Sequence, residues 1–122
     1  LVNNAGIIGR QCRVDEMDPA LLAEVFAANV FSTFYCSREA LRRMSTKHGG
    51  KGGAIVNVSS VAARHGGLAM ESHYAASKGA IDSFTVGMVD VPITHRFLSL
   101  EASWVAMFPT SRTNSTWPRN PW

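Results

Sequence analysis

The chain has 122 residues, 46% of them apolar and 17% charged, with a formal charge of +3 and a pI near 9.2. That length suits one small domain, which can bury about two-thirds of the surface it exposes when unfolded, and leaves no room for two. The composition excludes a fibrous or strongly disordered class. Arg38, Arg42, Arg43 and Lys47 come closest to a basic cluster, and their helical spacing makes them a solvated helix face before a nucleic-acid surface. No uninterrupted apolar run approaches the ~20 residues of a membrane span, and no basic-then-apolar leader opens the chain. Cys12 and Cys36 form no CxxC, so they read as reduced thiols of a cytoplasmic protein.

In chain order, Leu1 to Asn4 read as the end of an apolar strand and "AGIIG" as the loop after it. The chain thus begins as though in the middle of an element. A long helix is expected over 18–47. Asp18 can cap it, Pro19 suits its first position, and Gly49 can supply the left-handed residue at its end. Leu21, Leu22, Val25, Phe26, Val30, Phe34, Leu41 and Met44 recur every three or four residues and predict a broad buried face, with Cys36 packed as a small apolar residue. "GGKGG" at 49–53 lacks the Ser or Thr that must follow the Lys of a phosphate loop, so it is a connector.

"AIVNVSS" at 54–60 is β-rich and reads as a strand buried on both faces. A loop then leads to a second helix over 73–91. Strand, helix, strand and helix in that order indicate an α/β domain with a parallel sheet. Beyond Asp90 the pattern changes. Pro92 ends the helix, and all three tryptophans and four of the five prolines fall between 92 and 122. "TSRTNSTWPRNPW" has neither helical nor strand period and is expected to be irregular, and its NST sequon carries little without a secretory leader.

The candidate chemistry lies at one edge of the sheet. Ligands of open parallel α/β sheets sit beyond the carboxyl ends of the strands. Asn3 to Gly6 leave one strand there, and Ser59 and Ser60 leave the other. Tyr74 and Lys78 stand four apart on a helix and share a face. A free phenol titrates near 10, too high for a base at neutral pH, and an adjacent ammonium favours the phenolate. A tyrosine so tuned can pass a proton to a carbonyl or take one from an alcohol, with a serine hydroxyl holding the substrate oxygen. Taken singly, the same pair could be an ordinary surface helix pair, and Ser59 and Asn3 read as structural. His65, His73 and His95 show no metal-ligand spacing.

"NNAG", "ANV", "IVNVSS" and "YAASK", in that order and on those elements, resemble the short-chain dehydrogenase/reductase family over residues 1 to about 89, in a manner similar to its sugar-dehydrogenase and oxoacyl-reductase branch. The resemblance implies a partial Rossmann-like, doubly wound parallel sheet and hydride transfer between NAD or NADP and an alcohol or carbonyl substrate. It implies that Tyr74 is the general acid/base and that Lys78 lowers its pKa and binds the nicotinamide ribose. Ser60 would orient the substrate, Asn29 would hold a water in a proton relay, and Asn4, Ala5 and Gly6 would flank the cofactor.

The sequence departs from that family in two places. The family's first strands and their Gly-rich pyrophosphate turn are not in this sequence. After "AIDSFTVGMV" the expected strand and Pro-Gly turn are replaced by "DVPITHRFLSLEASW", a change that reads as a shifted reading frame near residue 90. The expectation is a catalytic segment over 1–91 with a divergent, irregular tail over 92–122, inactive in isolation. A second reading is a non-catalytic fragment that keeps only an association surface. Helices 18–47 and 73–91 resemble the family's dimerising pair, so a homo-oligomer is expected, without nucleic-acid or membrane partners.

Overall fold

A computed structural model describes residues 1–88 and the backbone of 98–100 and 103–108. Strand β1 (Val2–Asn3) pairs in parallel with β2 (Gly53–Val58), Val2 opposite Val56 and Asn3 opposite Asn57. Both strands therefore end at the same edge. The α/β fold class read from the sequence is the one observed.

Between them a helix runs from Pro19 to Met44 in three pieces, α1 (Pro19–Phe26), a π turn (Ala27–Phe31) and α2 (Ser32–Met44). Asp18 caps it by accepting the Ala20 amide proton at 2.8 Å, an interaction that typically stabilises by about 1 kcal/mol. Pro19 fills the first turn; the helix ends at Met44 with Ser45 extended, short of the expected residue 47, and Gly49 at φ +83° closes not the helix but the separate 3-10 turn Thr46–His48.

The π turn corrects the expected buried face. It inserts one extra residue, so the inward stripe advances by one position beyond it. Leu21 and Val25 are buried before the turn, Asn29 and Val30 within it, and Thr33, Ser37 and Ala40 after it. Leu22, Phe34 and Tyr35 are exposed instead, and so is Cys36, contrary to its expected packing. The basic residues of α2 are solvated as expected, Arg38 and Arg42 pairing with Glu39 on the surface. By length and composition this helix could cross a membrane, an 18-residue window of it having a mean hydropathy of 1.3, a test that the core helix of a soluble protein also passes.

Helix α3 (Ala62–His65) and helix α4 (Ser72–Gly87) follow β2. Both long helices cover one face of β2. Ile55, fully buried, packs with Ala40, Leu41 and Met44 from the first helix and with Phe84 and Met88 from the second. Asn57 points the same way, accepting from Asn3 Nδ2 at 2.7 Å and donating to Thr85 Oγ1 at 2.9 Å, while Asn3 also donates to Ser37 Oγ at 3.0 Å. Asn3 is thus a structural bridge between strand and helix. Val56 and Val58 are only half-buried, so among the described residues β2 has one fully covered face rather than two.

The part expected to be irregular contains two strands, β3 (Leu98–Leu100) and β4 (Ser103–Phe108). β4 pairs antiparallel with β2 from Gly53↔Phe108 to Val58↔Ser103, and the sheet order is β1-β2-β4-β3. The sheet is therefore mixed, with its parallel pair at β1–β2. The segment 109–122, with its expected irregularity and its sequon, lies outside the described residues.

Candidate functional site

The site is built where β1 and β2 end. The first strand runs into Asn4, Ala5 and Gly6, which are exposed, and the second into Ser59 and Ser60. A side-chain carbon at Gly6 would stand 3.2 Å from Asn29 Oδ1 and 3.3 Å from Lys78 Nζ, so the Gly6 backbone lies directly against both groups. Three of the residues singled out in the sequence thus meet, one each from the strand end, the π turn and α4.

Asn29 is 1% exposed and committed to structure through its side chain. Its Oδ1 accepts the Ile7 amide proton at 2.7 Å, and its Nδ2 donates to the Ile7 carbonyl and to Ser77 Oγ, each at 2.9 Å. Ser77 Oγ donates in turn to the Tyr74 carbonyl at 2.7 Å. The chain of bonds from Ile7 to the first turn of α4 fixes the loop after β1 against the helix that carries Tyr74 and Lys78. With both amide protons spent, the Asn29 side chain has no donor left for a water. Its main-chain carbonyl accepts from Thr33 Oγ1 at 3.1 Å.

Lys78 is buried at 5% exposure, and its ammonium donates to the Val58 carbonyl at 2.9 Å. An ammonium has three protons, so this bond leaves donors over for a ligand. Burial pulls the Lys78 pKa below its ordinary value, and the carboxylate of Asp82, one turn on, partly offsets the effect. The Nζ lies 5.9 Å from the centroid of the Tyr74 ring. Tyr74 is half-buried, and its hydroxyl joins no hydrogen bond among the described residues.

Ser59 and Ser60 differ in their hydrogen bonds. Ser59 is buried and donates to the Lys78 carbonyl at 3.2 Å, tying β2 to α4. Ser60 Oγ accepts the Ala62 amide proton at 3.2 Å at the start of α3, which keeps its own proton available to donate. Among the described residues no hydrogen bond joins Ser60 to Tyr74; they are related through α3, which packs on α4.

Three residues of the site were not singled out by sequence reasoning as carriers of this arrangement. Ser77 lies inside "YAASK", where its position three residues after Tyr74 was the available signal. His73 is 2% exposed and donates from Nε2 to the Ile8 carbonyl at 3.0 Å, while its Nδ1 is buried without a partner. Glu71 is 6% exposed and holds Gln11. Neither has a signature legible without the fold. Among the described residues no group of three His, Cys, Asp or Glu side chains could hold a metal ion.

Fold and site together define an α/β protein of Rossmann-like class, with a buried lysine beside a tyrosine at the strand edge. The sequence matches the short chain dehydrogenase family over residues 1–108, and the chain belongs to that family. It is 53% identical over 88 residues to the uncharacterized oxidoreductase YgfF of Escherichia coli (strain K12), covering 72% of this chain and 36% of that protein. It is 43% identical over 84 residues to a 3beta-hydroxysteroid dehydrogenase of Mediterraneibacter gnavus, covering 69% of this chain and 29% of the relative. Among solved structures, a DEH reductase A1-R' mutant superposes with a TM-score of 0.65 at 30% identity, over 72% of this chain and 36% of the other. ElxO with NADP bound gives 0.60 at 28% identity, over 71% and 34%. The chain spans about a third of the length of the relatives it matches. The family match runs to residue 108, past the change of character near residue 90.

Proposed function

We propose that residues 1–91 are the proton-transfer segment of an NAD(P)-dependent oxidoreductase acting on an alcohol or carbonyl, with 92–122 as its divergent tail. The observation that carries this reading is Lys78, an ammonium buried at the strand edge, bonded to the Val58 carbonyl and lying beside Tyr74, Gly6 and Asn29. A structural lysine would cost less at the surface, and burial of such a charge is characteristic of functional sites.

The nicotinamide cofactor, when bound, supplies or takes the hydride. Tyr74 gives its phenolic proton to the carbonyl oxygen during reduction and removes the alcohol proton during oxidation. The positive charge of Lys78 stabilises the phenolate left behind, and its spare N–H donors hold the ribose hydroxyls. Ser60 donates to the substrate oxygen as charge builds there. Asn29 fixes the floor of the site, and its part in a proton relay runs through its backbone, since its side chain is spent on Ile7 and Ser77. Asn4, Ala5 and Gly6 form the approach to the cofactor. The substrate is a small molecule, and the protein works in the cytoplasm without nucleic-acid or membrane partners.

A second reading takes the chain as a non-catalytic association module. Phe31, Phe34, Tyr35 and Val86 favour it, all exposed on the two long helices, Pro19–Met44 and Ser72–Gly87, through which a homo-oligomer would form. The inactivity of the chain alone is tested by titrating NADPH and NADH into the purified chain and following nicotinamide fluorescence. The described residues supply the ribose side of a cofactor site and no Gly-rich pyrophosphate cradle, so no saturable change and no turnover are expected from the chain alone. Saturable binding with turnover would overturn its inactivity in isolation, and turnover unchanged in Tyr74→Phe would overturn the catalytic assignment.

A further inference from the structure

We propose that Gln11 and Glu71 form a latch that locks the loop after β1 to the loop before α4, making Glu71 a positioning residue for Tyr74. The latch rests on the proposed oxidoreductase function only for the importance of Tyr74; its geometry stands by itself.

Glu71 occupies the N-cap position of α4, where an acidic side chain ordinarily accepts from the helix's own first amides. Here it makes no such bond. Its backbone carbonyl starts the helix by accepting from Ala75 at 3.0 Å, while its carboxylate turns away from the helix. One oxygen accepts from Gln11 Nε2 at 2.6 Å across the gap between the loops, and the other accepts the Leu68 amide proton at 3.2 Å within its own loop. Glu71 is 6% exposed, and both of these donors are neutral amides. A carboxylate so far from water depends heavily on each donor that meets it.

The residue before it supports the same purpose. Met70 has φ +65°, a left-handed conformation that a residue with a side chain adopts reluctantly. That turn presents two successive residues to one loop: the Met70 carbonyl accepts from the Cys12 amide at 3.1 Å, and the Glu71 carboxylate accepts from Gln11. His73 adds a third tie, Nε2 donating to the Ile8 carbonyl. Each tie runs from residues 70–73 to residues 8–12, within one turn of Tyr74. Gln11 is exposed while Glu71 is buried, so the latch opens from the Gln11 side.

The chemistry of the pair allows a rescue. Exchanging the residues, Gln11→Glu with Glu71→Gln, reverses the donor between the loops. The side-chain amide then at position 71 donates to the carboxylate at position 11 and accepts the Leu68 proton with its oxygen, so both bonds survive. Gln11→Glu alone sets two carboxylates face to face, and Gln11→Ala removes the outer partner without touching the buried one.

The test is hydrogen exchange on the full chain, with 3-fluorotyrosine at Tyr35 and Tyr74 read by fluorine NMR. Gln11→Ala and Gln11→Glu are expected to speed exchange of the Cys12 and Leu68 amides about tenfold or more, leaving the Val56 amide in the sheet unchanged. They are expected to move the Tyr74 resonance and not that of Tyr35, and the exchanged pair is expected to restore both readings. Unchanged exchange in the single variants would overturn the latch. A double variant no better than Gln11→Glu would overturn the pairing, and a Tyr74 resonance that never moves would reduce Glu71 to a loop residue. Failure of cofactor binding leaves every one of these readings intact, so the two proposals fail separately.

Discussion

The two long helices break the ordinary rule of burial in opposite directions. Helix α4 buries polar groups, His73, Ser77, Lys78 and Thr85 among them, whereas the Pro19–Met44 helix exposes Leu22, Phe31, Phe34 and Tyr35. On α4 three of these have partners, Ser77 between Asn29 and Tyr74, Lys78 on Val58 and Thr85 on Asn57, whereas His73 Nδ1 and Asp82 Oδ1 are buried without one. Burying polar groups stabilises little unless every one is satisfied, so this face is better explained by chemistry than by stability. Among the described residues the exposed aromatics of the other helix have less extensive partners. Phe34 stacks on Phe84 at 3.8 Å between centroids, and Phe31 and Tyr35 stand at 49% and 62% exposure. One helix turns polar groups inward around the candidate site, and the other leaves apolar side chains exposed.

The largest effect is expected where the inward network is densest. Asn29→Ala removes three hydrogen bonds and orphans the Ile7 amide, the Ile7 carbonyl and a share of Ser77, so it should cost about 3 kcal/mol, read from the urea midpoint. Asn57→Ala, which breaks the links to Asn3 and Thr85, should cost about 2 kcal/mol by the same measurement. If either is neutral, the buried polar face is not a network.

The outward helix should respond in the opposite way. Phe31→Ser with Tyr35→Ser should leave stability within about 0.5 kcal/mol while shifting the sedimentation profile toward monomer. A profile that does not move would remove this face from any interface. The smallest effect is a change of slope. The pKa of Lys78 lies below 10.5 in the folded chain, so the burial penalty is present in full below that folded value and fades as pH rises toward 10.5. Stability therefore gains on the alkaline side, and Lys78→Met should flatten that gain, seen in denaturation midpoints compared from neutral to alkaline pH.

Much of this was legible in the sequence, for identifiable reasons. Asp18 and Pro19 start a helix by local chemistry, and the β-branched run in "AIVNV" marks a strand, so both elements begin within a residue of where they were read. The four motifs carried the family, and Gly6, Asn29 and Lys78 do converge. What escaped was phase and long-range pairing. A π turn has no dependable sequence signature, and its single extra residue puts Ser37 rather than Cys36 on the inner face. Glu71 and His73 have meaning only beside Gln11 and Ile8, some sixty residues away. The strands in the tail were missed because the change of composition after Asp90 outweighed the short β-branched and aromatic run at 103–108.

The central claim is that this segment carries the proton-transfer chemistry of its family. The most direct test grafts it into a working relative. The matched 84 residues of the Mediterraneibacter gnavus 3beta-hydroxysteroid dehydrogenase are replaced by the corresponding stretch of this chain, and turnover is compared with and without Tyr74→Phe. The account predicts that the graft turns over and that Tyr74→Phe reduces the rate by about a hundredfold or more, on the order of what a positioned general acid contributes. A folded, cofactor-binding graft without turnover, or one indifferent to Tyr74→Phe, would contradict it.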